Sequence, residues 1–513
     1  MKLRNHLLRF GAMLLILCLV TACAPATGTR PPAENCPHVD ADDNGHCDDC
    51  GLSVIVLLDL YAINDLHGKL ADGDTHPGVD EMTTYLKTAM AADDHALLLS
   101  SGDTWQGSSE SNLTEGLILT DWMNALDFVS MTLGNHEYDW GEETIEQNAA
   151  AAEFPFLGIN IYDRATNERV SYCQPSVLVT RGNLTVGIIG AIGDCYSSIS
   201  ADKTQDIYFK TGAELTALVK AESERLRAQG ADLIIYSLHD GYGKSSYDDV
   251  SVIPSSKINS YYDVALSDGY VDLVFEGHTH QRYVLKDIHG VYHLQSGGDN
   301  KGLCHVEIAV NPLNDTWSIN VGEFVSSDRY ATLADDPVVE TLLQKYRDQI
   351  SVGQLVVGYN AAYRDGNTLR RLIAQLYYEF GVNQWREDYD IVLGGGFLSV
   401  RSPGHLPVGD VTYAQLQGLF PFDNTLTLCS VKGRDLESKF FNTSNSNYFI
   451  YYGEYGASVK QNIDPNATYY IIVDTYTSSY APNRLTVIEQ YNADYFARDL
   501  LADHMAQGGL AGK

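Results

Sequence analysis

From residue 53 to about residue 330, short apolar runs alternate with stretches whose apolar residues recur three or four positions apart. The runs 54–61, 96–99, 129–133, 185–192, 233–238, 271–275 and 305–310 predict strands buried on both faces. Helical spacing predicts helices over 117–126 and 213–228. The alternation points to an α/β fold of layered sheets flanked by helices. Residues 335–351 read as one charged amphipathic helix, a connector, and beyond it a helix at 367–380 and a strand at 469–474 open a second α/β domain.

The 513 residues exceed what one compact core holds. The expected division is a signal peptide at 1–22, a tether with a small Cys/Asp knot at 23–52, the layered domain at 53–330, a linker helix at 331–352 and a C-terminal domain at 353–513. Met1, Lys2 and Arg4 precede a short apolar run that ends in Val20, Thr21, Ala22 and Cys23. That ending resembles a bacterial lipobox, which implies a lipid on Cys23 and a place on the extracellular face of the cell membrane.

A formal charge of −33 excludes nucleic-acid polymers as partners, because duplex binding relies on Lys and Arg at phosphates. An acidic protein still binds a small anionic phosphate ester where bound cations reverse the local field. Residues 36–50 are too few for a core and need a metal or a disulfide to hold them. Asp40, Asp42, Asn44 and Gly45 copy the opening of an EF-hand loop, although Gly51 stands where its closing Glu would be. Cys36, Cys47, Cys50 and a nearby His offer a zinc set instead, so an extra Ca or Zn ion is expected in this knot.

Polar, ligand-type residues follow the strands directly: Asp65 and His67, Asp103, Asn135 to Asp139, His239, then His278 and His280. In open α/β sheets the strand C-terminal ends are where ligands bind. Carboxylate, amide oxygen and imidazole together suit Mn, Zn, Ca or Fe rather than a thiolate-bound metal.

These residues fall into Asp-x-His, Gly-Asp, Gly-Asn-His-Glu, His-x-Gly and Gly-His-x-His, and with them the chain resembles the calcineurin-like metallophosphoesterases, more narrowly the bacterial 5′-nucleotidase family. The resemblance implies two divalent metal ions (Mn, Zn, Co or Ca). One would be held by Asp65, His67, Asp103 and His280, the other by Asp103, Asn135, His239 and His278, with Asp103 bridging. It also implies a catalytic dyad of His136 and Asp139 facing the substrate.

The C-terminal domain matches the family's substrate-specificity domain at 393–397, 410–413 and 419–426. There the resemblance implies a Gly-rich turn and arginines gripping phosphate, and two aromatic rings sandwiching a base. Leu398 stands where the family has Arg, which leaves Arg401 and Arg364 as phosphate candidates. Tyr476 or Tyr480 on one side, and Tyr448 or Phe449 on the other, are candidates for the base clamp. The implied activity is hydrolysis of nucleotides, with cyclic 2′,3′-nucleotides and UDP-sugars as further substrates of the same chemistry. The competing readings are a bimetal phosphatase for a non-nucleotide ester and a catalytically silent metal-binding surface protein.

Overall fold

The computed structural model describes residues 36–72, 77–93, 95–181, 184–242, 264–314, 316–401, 403–441, 449–453, 463–480, 484–492 and 495–511. The signal segment, Cys23, the tether and Tyr448 lie outside the described residues, as does the Tyr480 side chain. The chain divides into two compact units, Met1–Val54 and Ile55–Lys513.

The smaller unit is built of turns. The Asp40 carboxylate accepts the N–H groups of Asn44 and Gly45 at 3.0 and 2.9 Å, and His46 bridges to Ser53. Cys47 is its only buried apolar side chain among the described residues.

In the larger unit two six-stranded sheets face each other. The first runs, edge to edge, Thr316–Ser326, Gly302–Asn311, Val56–Ile63, Leu97–Ser100, Ser130–Thr132 and Phe156–Leu157. The second runs Arg282–Lys286, Tyr292–Ser296, Leu273–Glu276, Leu233–His239, Leu184–Ile192 and Ser176–Arg181. The period-two geometry of a strand explains why both faces are apolar. Leu58, Leu60 and Ala62 point inward against Val186, Ile188, Ile235 and Phe275 of the opposite sheet. Their neighbours Tyr61 and Ile63 point outward, into a core shared with Met82, Leu86, Ile118 and Trp122. On the far side of the second sheet, Ile189, Ala191 and Ile234 pack against Leu215, Val219 and Leu226 of the helix Gly212–Ala228. The result is a β-sandwich with helices on both outer faces.

The connector differs from the single helix expected at 335–351. It breaks at Tyr346 into Pro337–Lys345, Arg347–Ile350 and a 3-10 turn at Ser351–Gln354. Tyr346 is drawn into the core beside the first sheet, with its hydroxyl on Asp121 at 2.5 Å, and that anchor turns the chain.

The last sheet orders Ile450–Gly453, Ile391–Gly396, Thr468–Asp474, Leu426–Lys432 and Leu485–Gln490. The helix Gly366–Trp385 covers one face through Leu369, Ile373 and Tyr377. The glycines at 394–396 are a strand here, not the turn expected for gripping phosphate. A Cβ on Gly394 would stand 2.2 Å from the Tyr378 nitrogen, so this glycine lets the helix backbone lie directly on the strand.

Candidate metal centre and active site

Seven polar side chains converge where strands of the two facing sheets end. His67 Nε2 lies 3.0 Å from His280 Nε2, and His280 Nε2 lies 3.3 Å from Asp65 Oδ1. Beside them, His239 Nε2 stands 3.2 Å from Asp103 Oδ2 and 3.3 Å from Asn135 Oδ1. His278 Nδ1 completes the set, 2.9 Å from the same Asn135 oxygen. Asp65, His67, Asp103, Asn135 and His239 are all buried.

The chain bends sharply to bring them together. Asp65, His67, Asp103, His278 and His280 all have left-handed backbones, with φ from +49° to +66°. Such conformations cost a non-glycine residue on the order of 1–3 kcal/mol each and persist where the surroundings enforce them. A Cβ on Gly134 would lie 2.3 Å from Asp103 Oδ1, so only glycine lets the two loops approach this closely.

The donor set fits divalent cations. His67 donates Nδ1–H to the Gln106 carbonyl at 3.0 Å and His239 donates Nδ1–H to the Ser101 carbonyl at 2.6 Å, which turns both Nε2 lone pairs inward. Burial pushes His67 down to about 3 and His278 down to about 4, keeping both imidazoles neutral, the ligand form. Burial opposes charge on Asp65 and Asp103, yet the neighbouring histidines hold both carboxyls below their usual range. Against its own burial, His239 is pushed up to about 10 by Asp103, so the buried carboxylates demand positive charge at this point.

His136 and Asp139 lie on the rim. His136 Nδ1 is 2.8 Å from Asp139 Oδ2, and the His136 N–H donates to Asp103 Oδ1 at 2.8 Å. Burial lowers the His136 pKa, but Asp139 and Asp103 outweigh it and raise the group above its ordinary value. The C-terminal domain reaches this rim. Phe422 stacks on His136 with centroids 5.4 Å apart, and the Arg401 guanidinium sits 5.1 Å over Phe422. The Arg401 Nε is buried without a protein partner.

The remaining candidates are placed elsewhere. Arg364 donates to Asn360 Oδ1 at 3.1 Å from a short two-stranded ribbon. Tyr476 is half-buried on the helix Thr475–Tyr480, whose Thr477 hydroxyl accepts the N–H of Phe397 at 3.1 Å. Phe449 is a core residue, 3% exposed among Val392, Leu436 and Phe440. Its ring is spent on packing, which corrects its assignment to a base clamp.

Two residues at the site were missed. Glu137 accepts the backbone N–H groups of Asp103, Thr104 and Gly134 at 2.9, 2.8 and 2.7 Å, tying two ligand loops together. Its place in the Gly-Asn-His-Glu motif was visible in the sequence, but its inward direction was not. Phe422 belonged to the matched C-terminal stretch, and nothing local marked it as the ring that meets His136.

The calcineurin-like phosphoesterase family model matches residues 60–282. Protein UshA of Yersinia enterocolitica is 24% identical over 429 residues, covering 74% of this chain and 75% of that protein. The Bos taurus 5′-nucleotidase is 24% identical over 425 residues, covering 75% of this chain and 71% of the relative. The crystal structure of the 5′-nucleotidase precursor from Thermus thermophilus aligns with a TM-score of 0.67 at 18% identity, over 88% of this chain and 96% of that one. Residues 60–282 therefore form a calcineurin-like phosphoesterase domain, which makes the chain a phosphoric ester hydrolase, within a two-domain fold shared with the solved 5′-nucleotidase.

Proposed function

We propose that this protein is an extracellular two-metal nucleotidase, anchored by a lipid on Cys23, that hydrolyses nucleotides to nucleoside and phosphate. The observation that carries the reading is the meeting of the Asp/Asn/His cluster with Arg401 and Phe422 at one rim. The name of the Bos taurus relative, 5′-nucleotidase, supports the substrate class. Among the described residues no helix is long and apolar enough to cross a membrane; the lipobox-like ending at Cys23 is what supports the lipid anchor.

Asp65, His67, Asp103 and His280 would hold one cation, and Asp103, Asn135, His239 and His278 the other. Bound there, two cations supply Lewis acidity toward the phosphoryl oxygens and acidify a water. The chain's own residues handle position and protons. Asp139 fixes the His136 ring through Nδ1, leaving the proton at Nε2 for the departing alkoxide. Arg401, with a buried unpaired Nε, holds a phosphate oxygen by a charge-assisted hydrogen bond. Phe422 offers an aromatic face, with Tyr476 or Tyr480 as the partner ring. The metallophosphoesterase domain is taken to end near residue 330, with 331–352 as linker and 353–513 as the specificity domain.

A non-nucleotide phosphate ester is the second reading, favoured by Phe449 and Leu398 lying in the core, where neither reaches a substrate. Phosphate release from AMP, cyclic 2′,3′-nucleotides, UDP-sugars and sugar phosphates, with Mn, Zn, Co or Ca added, separates the two. Preference for AMP over every sugar phosphate supports the nucleotidase, and the reverse order supports the second reading.

A further inference from the structure

We propose that the small N-terminal unit is a zinc-locked knot whose ligands are Cys36, His38, Cys47 and Cys50, a closed structural site separate from the phosphoesterase centre. The four ligand atoms, three Sγ and one imidazole nitrogen, all lie within 4.8 Å of one another. Cys36 Sγ is 3.3 Å from Cys47 Sγ, and Cys50 Sγ is 3.4 Å from His38 Nδ1. A tetrahedral ion with Zn–S near 2.3 Å and Zn–N near 2.0–2.1 Å places such atoms roughly 3.5–3.8 Å apart, so small shifts complete the site.

The backbone around the four residues supports the same end. The Cys50 N–H points at Cys47 Sγ at 3.5 Å, and Cys47 N–H is bonded to the Leu52 carbonyl at 2.8 Å, which curls the Cys47-to-Cys50 segment into a tight knuckle. Gly51 leaves that knuckle at φ +70°, and His38 is held at φ +50°. With Cys47 as the one buried apolar side chain among them, the described residues 36–54 form no hydrophobic core that would hold their turns in place. Three thiolates and an imidazole are a soft tetrahedral set, which selects zinc over calcium. Asp40, Asp42 and Asp48 form a separate group of carboxylate oxygens, and none of them belongs to the Cys/His set. His46, the other histidine within reach in the sequence, instead faces the Asn44 carbonyl at 3.2 Å. Four protein ligands leave no open position, so the site is structural and not catalytic.

The test is metal analysis of the full chain, purified under reducing conditions with zinc, beside Cys50→Ser and His38→Ala variants. The expected result is loss of one zinc equivalent per chain in each variant, with phosphate-ester hydrolysis retained. Cobalt substitution gives a second readout, because the ligands assigned to the phosphoesterase centre include no thiolate and Cys195, beside His239 and His278, donates its Sγ–H to the His239 carbonyl at 2.9 Å. A thiolate-to-cobalt charge-transfer band should appear in the wild type and in Asp103→Asn, and vanish in Cys50→Ser. Unchanged zinc content with no such band overturns the proposal. So does peptide mapping of the wild type that finds Cys36 and Cys47 joined as a disulfide after zinc loading.

Discussion

The imidazole of His136 stacks on the ring of Phe422, with centroids 5.4 Å apart and planes inclined by 28°. One residue follows the strand Ser130–Thr132 of the sandwich and the other belongs to the C-terminal domain, so the two domains meet at the dyad. The segment carrying Phe422 is fixed on both sides. The Asn112 amide donates to the Pro421 carbonyl at 3.1 Å, Trp140 Nε1 donates to Asp423 Oδ2 at 3.2 Å, and buried Arg498 pairs with Asp423.

Phe422→Leu keeps an apolar side chain but removes the π-face. KM for AMP should rise roughly 5- to 150-fold, the equivalent of about 1–3 kcal/mol for one stacked base. Ribose 5-phosphate, which has no base, should be turned over almost as before. An equal fall in kcat for both substrates would assign Phe422 to holding His136 and not to the base.

His136→Ala should lower kcat by roughly 10²–10⁴-fold with metal content unchanged, the scale of a positioned acid or base. Metal analysis alongside the kinetics decides the matter. Activity loss in step with metal loss would make His136 part of the ligand set.

Glu137→Gln tests a residue that touches no substrate. Its carboxylate receives four backbone N–H groups from the loops of Asp103 and Asn135, and an amide cannot accept all four as well. Metal affinity should fall about 10- to 100-fold, the range seen when groups that orient metal ligands are changed. Excess metal should then restore kcat. Failure of excess metal to restore it would place the effect on the chemistry itself.

Much of the layered domain was legible because its signals are local. Apolar runs marked the central strands, and polar residues at their ends marked the converging loops. The strand Thr316–Ser326 alternates apolar with polar from Trp317 to Val321 and lies at a sheet edge, where no continuous run betrays it. Phe449 could not be placed from sequence, since an aromatic residue looks the same whether it packs a core or lines a cleft. The glycines at 394–396 were ambiguous for a similar reason: turn and close helix–strand packing both require a missing Cβ. The break at Tyr346 depends on Asp121, a partner more than two hundred positions away.

Stability should depend on pH through a buried triad outside the site. His293 Nδ1 lies 3.0 Å from Glu276 Oε1 and its Nε2 lies 3.6 Å from Asp287 Oδ2. Burial opposes the charge, but Glu276 and Asp287 push His293 up to about 9. A pKa raised above the unfolded value of about 6.5 stabilises fully below that value and loses its effect as pH rises through about 9. The urea midpoint gap between wild type and His293→Gln should therefore be wide near pH 6 and narrow near pH 10. A gap that is constant across this range would mean that His293 folds uncharged.

The central claim is tested most directly by AMP hydrolysis after chelation and metal add-back, measured with bound-metal analysis on wild type and Asp103→Asn. Asp103 is the carboxylate placed between the two ligand groups, with Oδ2 toward His239 and Oδ1 receiving the His136 N–H. The wild type should lose activity on chelation and regain it as two metal equivalents return to the centre. Asp103→Asn should bind fewer ions there and stay inactive at any added metal concentration. A chelated wild type that still releases phosphate from AMP, or an Asp103→Asn variant with both metals and near-normal turnover, would contradict the two-metal account.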